Sequence, residues 1–226
     1  MVLLAVLLGA CGSSGASPPS HPAAALQVMQ LRPAEVPGGF YLAGRSLLGP
    51  DQSARSQGLD PGQYSAHGGQ ESLAVRFVQR HPTGLGLTFI FSQVFAFASA
   101  SDAAWGFRQI DQALAHSGTI GTVQEPVDIT ATATPLPTTV KLLKHPVGSP
   151  ATPYAAIRVP PLGNQDAGFT NTSAAYAGEY VFTNQVVLFR QGSYCGLIHI
   201  SGNYGQVPLS AALALARRID TRARRA

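Results

Sequence analysis

Charge is scarce in this sequence. Asp, Glu, Lys and Arg make up 12% of its 226 residues, against roughly 25% in an average soluble domain. Lysine occurs only at 141 and 144, and cysteine only as Cys11 and Cys195, too few for a disulfide framework. The six histidines, His21, His67, His81, His116, His145 and His199, form no His-x-x-x-His pair, and no Cys-x-x-Cys occurs. That argues against structural zinc, so no metal is expected. The glycine fingerprints that cradle phosphates or dinucleotides are missing, as is the Gly-x-Ser-x-Gly elbow, so no cofactor is expected either.

What charge there is lies unevenly. The net +4 belongs to the last fourteen residues, where Arg217, Arg218, Arg222, Arg224 and Arg225 face one carboxylate, Asp220. Everything before them is balanced. A neutral body with one basic end gives no ground for a nucleic-acid partner. The 24 Gly and 17 Pro stay below the ~25–30% share of a disordered chain, so the reading is a folded domain with many turns.

Regular structure is expected from about Ser72. Leu73, Val75 and Phe77 alternate with Ala74, Arg76 and Val78, and Pro82-Thr83-Gly84 turns the chain into a long strand over 87–98. Upstream, 26–42 is an apolar segment broken by prolines, and 49–69 reads as turns, with Gly49-Pro50 and Asp60-Pro61-Gly62 as the clearest signals. Ser99 and Asp102 have capping-box spacing ahead of a helix whose stripe is Ala103, Phe107, Ile110 and Leu114, stopped by Gly118. Residues 120–161 are rich in proline and suit edge strands and loops, with 139–143 and 154–159 the extended pieces. Strands follow over 179–182, 186–190 and 193–201, with Gln191-Gly192 as the turn, then a helix over 208–218. Hairpin-then-helix thus occurs twice. The expected class is α+β: an antiparallel sheet built from two such units, with helices packed on one face.

The N-terminus is of another kind. Val2 to Ala10 is an apolar run of nine, too short to cross ~30 Å of hydrocarbon but suited to a signal-peptide core. It ends Leu8-Gly9-Ala10-Cys11, which resembles the lipobox of bacterial lipoprotein precursors. The basic residues that usually open such a segment are missing, since only Met1 precedes the run. The resemblance implies cleavage before Cys11, lipidation of its sulfur, and a lipid-anchored domain on the extracytoplasmic face of a cell membrane. Several acyl chains anchor a protein where one barely would. The organisation expected is a signal peptide over 1–10, a lipidated cysteine and tether over 11–24, and one domain over 25–226, with 120–160 as the place where two subdomains would meet. With Cys11 lipidated, Cys195 has no partner within the chain.

A second resemblance rests on Leu162-Gly163-Asn164-Gln165-Asp166, the strand ending Leu188-Phe189-Arg190-Gln191-Gly192, the returning strand and the final Ala-rich helix. This pattern resembles the domain of actinobacterial cell-envelope lipoproteins and of the outer sensor domains of their receptor kinases. It implies a binding or sensing role in the envelope and carries no catalytic residues.

Candidate functional residues are few. Trp105 falls almost opposite the helix stripe, either as a ring covered by a neighbouring loop or as a contact for a ligand or partner. Cys195 and His199 share one side of a strand, but ~13 Å apart at strand rise, too far for a dyad. They suit a pocket lining, or a central strand covered on both sides. The five C-terminal arginines suit a solvated helix face or contact with anionic lipid headgroups. The first hypothesis is therefore a non-enzymatic module for an envelope lipid, glycan or protein partner. The alternatives are an envelope hydrolase assembled from separate segments, such as Ser65, His67 or Cys195, and a purely structural assembly lipoprotein.

Overall fold

The computed structural model describes residues 22–80, 87–117, 154–175, 180–203 and 205–226. Cys11 and its surroundings, the turn at 82–84, the Gly118 stop and the strand expected over 139–143 lie outside the described residues.

The chain enters through a helix, α1 (Pro22–Met29), and one 3-10 turn (Pro33–Glu35). Strand β1 (Phe40–Leu48) leads to two short helices, α2 (Pro50–Arg55) and α3 (Pro61–Ala66). A hairpin of β2 (Gly69–Gln79) and β3 (Leu87–Phe97) feeds helix α4 (Ala100–Ser117). Short β4 (Ala155–Ile157), β5 (Gln165–Ala175), β6 (Tyr180–Gln191) and β7 (Tyr194–Asn203) precede the last helix, α5 (Leu209–Ala223). All seven strands form one antiparallel sheet in the order β1-β2-β3-β7-β6-β5-β4.

The expected class holds: an antiparallel sheet carrying two hairpin-then-helix units. The helices, however, occupy both faces rather than one. Ala54 of α2, Tyr64 of α3 and Ala103, Phe107, Ile110 and Leu114 of α4 pack on Phe95, Phe97, Val186, Leu188, Cys195 and Leu197. Ala25, Leu26 and Met29 of α1 and Ala212, Ala216 and Ile219 of α5 pack on Leu73, Phe77, Ile90, Val94, Val187, Ile198 and Ile200. The reason lies in the central strands, β3 and β7, which carry apolar side chains on both sides. Such strands need cover on both sides, and one helical layer would leave half of them wet.

Local chemistry explains the other departures. Gly49-Pro50 and Asp60-Pro61 begin helices instead of turns. Each proline stands at a first helical position, where its missing N–H is no loss, and Asp60 Oδ1 accepts a hydrogen bond from Gln63 N at 2.8 Å. At α4 the capping contact is present, with Ser99 Oγ accepting from Asp102 N at 3.1 Å. The β6–β7 turn is Gly192-Ser193, one residue later than expected, because Gln191 pairs with Tyr194 and Gly192 takes the φ of +58° that the turn requires. Strand β5 was not anticipated. Its QDAGFTNTSAA sequence has weak strand propensity, and it is extended because it pairs with β6 from Gln165↔Arg190 to Ala175↔Tyr180.

The core under β2 and β3 contains satisfied polar groups on both faces. On the α4 side Gln93 Nε2 donates to Ser72 Oγ (2.9 Å) and Ser56 Oγ (3.0 Å), while Gln57 Nε2 donates to Gln93 Oε1 (3.1 Å). On the opposite side Gln30 Nε2 donates to Leu73 O (2.7 Å), and Ser92 Oγ donates to Gln30 Oε1 (2.6 Å). These bonds tie α2 and α1 to the same two strands in fixed positions, since a buried amide left unpaired would be expensive.

Candidate functional site

Cys195 sits near the start of β7, wholly buried under the start of α4. Its thiol donates to Ala103 O at 3.3 Å, and burial pushes its pKa up to about 12. A thiol held protonated in this way is a packing group, since only the thiolate is a good nucleophile. Cys195 and His199 do lie on one face, four register pairs apart, Cys195 opposite Phe95 and His199 opposite Phe91.

His199 is half-buried at the polar end of that face. Its Nε2 lies 3.1 Å from Asn184 Oδ1, and Asn184 Nδ2 donates to Asn171 Oδ1 at 2.8 Å. Because the Asn184 oxygen accepts, the ring carries its proton on Nε2 in this arrangement. Phe89 meets the imidazole edge-on at 5.7 Å between centroids. Burial pushes the ring's pKa down to about 4, so it is neutral at physiological pH. Strand pairing builds the row: Asn171 lies directly opposite Asn184, and Val186, next along that face of β6, lies opposite His199. Ser201 stands across from Asn184 and extends the row on β7. Such amides and a neutral imidazole donate and accept hydrogen bonds without carrying charge, which suits holding a polar neutral group rather than driving proton transfer.

Trp105 is elsewhere on the same side. Half-buried on α4, its ring stacks on exposed His67 at 4.2 Å and 16° between planes. The covering group is thus an imidazole from the segment after α3. Ser65 is exposed on α3. The residues weighed for a hydrolase therefore do not converge on one nucleophile: Cys195 is sealed beneath Ala103, and His67 lies against an indole. Among the described residues no group of three His, Cys, Asp or Glu is placed to hold a metal ion.

The arginines divide. Arg222 turns inward: its Nη1 donates to Met29 O (3.0 Å) and Gln30 O (2.7 Å), capping the end of α1, and its Nη2 pairs with Glu35. Arg224 pairs with Asp220 one turn back, at 2.9 Å. Arg217, Arg218 and Arg225 are exposed. A lone sequence position does not disclose that an arginine caps a helix nearly two hundred residues upstream.

Asn171 and Asn184 were missed as site residues. A row running across three strands has no signature along the chain; only the register of β5, β6 and β7 assembles it.

No family model and no curated protein matches the chain. Among solved structures the fold is similar to the extracellular domain of PknH from Mycobacterium tuberculosis. The TM-score is 0.51 and the identity 10%, over 87% of this chain and 94% of that one. At this identity the likeness is one of fold. That likeness of fold extends well beyond the C-terminal third of the chain.

Proposed function

We propose that this chain is a lipid-anchored, extracytoplasmic binding module that takes a polar ligand or partner from the cell envelope without catalysing a reaction. The observation that carries the proposal is the architecture itself, a fold similar to that of the extracellular domain of PknH. The resemblance of Leu8-Gly9-Ala10-Cys11 to a lipobox supports the compartment and the anchor. The row of Asn171, Asn184 and His199 supports the type of binding: neutral donors and acceptors next to Phe89, fit for a glycan hydroxyl or an amide.

Two measurements test this. Expressed in a bacterium, the protein partitions into the detergent phase, and Cys11→Ala abolishes that partitioning. Thermal shifts against fractionated envelope glycans and lipids give at least one stabilising fraction, and Asn184→Ala removes its effect while the fold survives. No shift from any fraction, or shifts that persist in Asn184→Ala, would count against the assigned row.

A further inference from the structure

We infer that the face formed by α1, α5 and the outer side of β1 rests on the anionic lipid bilayer that carries the anchor. This inference depends on the lipidation of Cys11 proposed above and assigns an orientation to the anchored domain.

The argument begins with what is left uncovered. Among the described residues the large hydrophobic side chains that stay exposed are Val28 (58%), Tyr41 (41%), Leu42 (39%) and Leu47 (47%). Leu42 pairs with Phe77 and Leu47 with Leu73, so both stand on the side of the sheet that α1 and α5 cover. Neither helix makes more than slight contact with β1. Val28 is on α1 itself. Three of the four thus belong to one side of the molecule, and Tyr41 belongs to the same edge strand.

The exposed charges on α1, β1, α5 and the turn after α1 are all basic. Arg32, Arg45, Arg217, Arg218 and Arg225 are exposed there, with Arg45 between Leu42 and Leu47 on the strand, directly opposite Val75. The two carboxylates on the same elements, Glu35 and Asp220, are already paired with Arg222 and Arg224. Isolated apolar side chains set among unpaired arginines match the boundary of an anionic bilayer, where acyl chains receive the former and headgroups the latter.

The chain's own route presents this face to the lipid. The domain begins at Pro22 on α1, eleven residues after Cys11. Whatever its conformation, a segment of that length reaches at most about 40 Å. A tether that starts from the α1 side makes docking through this face effectively intramolecular. It also leaves α4, with Trp105 and the polar row beneath its side of the sheet, turned away from the lipid.

The test uses the full lipidated protein in vesicles of phosphatidylcholine with phosphatidylglycerol. An environment-sensitive fluorophore is attached through Leu47→Cys, Val28→Cys or, as the control on α4, Arg108→Cys; the native Cys195 is sealed in the core. Nitroxide-labelled lipid should quench positions 47 and 28 several-fold more than position 108. Arg217→Glu with Arg218→Glu, or vesicles of phosphatidylcholine alone, should remove most of that difference. Equal quenching at all three positions, with detergent partitioning intact, overturns the docking and leaves the anchor standing. A label at 47 that is shielded from aqueous iodide but not quenched from the lipid, more so at higher protein density, means that another copy covers the face, and also overturns it. Failure to partition into detergent overturns the anchor and, with it, this orientation.

Discussion

The two hairpin-then-helix units share a connectivity but not a handedness. In the first, β2 and β3 lead into α4, which lies with α2 and α3 on one face; in the second, β6 and β7 lead into α5, which lies with α1 on the other. Their innermost strands, β3 and β7, are antiparallel neighbours. A rotation exchanging two such strands runs along the sheet normal and leaves each face where it was. It cannot carry α4 onto α5. The units are therefore not related by a two-fold axis, and each face has its own construction. The α4 face combines aromatic rings with glutamine and serine and ends in the asparagine–histidine row. The α5 face is mainly aliphatic within and arginine-rich without. The comparison teaches that a repeated order of elements along a chain need not be a repeated object in space.

The largest expected effect bears on the claim that both faces are core. Leu197 and Ile198 are neighbours on β7, both fully buried, one under α4 and the other under α5. Leu197→Ala and Ile198→Ala should each lower stability by about 2–5 kcal/mol in urea unfolding. A near-neutral result for either would mean that its face is not packed.

Next comes a pH dependence peculiar to the α4 face. His199 stays neutral in the fold down to about 4, against an ordinary value of 6.5 in the unfolded chain. As the pH falls the unfolded chain takes up this proton first. Stability therefore declines between those two values and levels off below, by at most about 3 kcal/mol. His199→Gln should flatten that part of the stability–pH curve, and an unchanged slope would remove His199 from the account.

A smaller effect separates the two helices. A Cβ at Gly106 of α4 would lie 2.2 Å from the ring of Phe97, whereas α5 contains no glycine. Gly106→Ala should destabilise by about 1–3 kcal/mol through overpacking, even though alanine favours a helix by ~1 kcal/mol. If the protein is instead stabilised, α4 does not sit that close to the sheet.

The smallest concerns Trp105, the one tryptophan in the chain. His67→Ala removes the ring stacked on it and should raise and shift its emission while moving stability by no more than about 0.5 kcal/mol. Unaltered emission would mean that the two rings do not stack in solution.

Much of this fold was legible in the sequence. The alternation of Leu73, Val75 and Phe77, the long strand after 87, the Ser99–Asp102 cap and the apolar stripe of the last helix are signals carried within a few neighbouring residues. Other parts were hidden for physical reasons. Strand β5 has little propensity of its own and is held by its neighbour. Proline at the start of α2 and α3 resembles a turn signal because both uses exploit the same fixed φ. Of the site, His199 was visible as a candidate, while its partners Asn171 and Asn184 were not.

By itself the sequence determined the class of fold, the central strands apolar on both sides and the isolated basic end, because periodicity, capping and composition are properties of short stretches. Only the tertiary structure decided which face each helix covers, which arginines are consumed internally and which asparagines meet the histidine. Those outcomes depend on strand register and on competition for the same apolar surface, and both join residues that the chain keeps far apart.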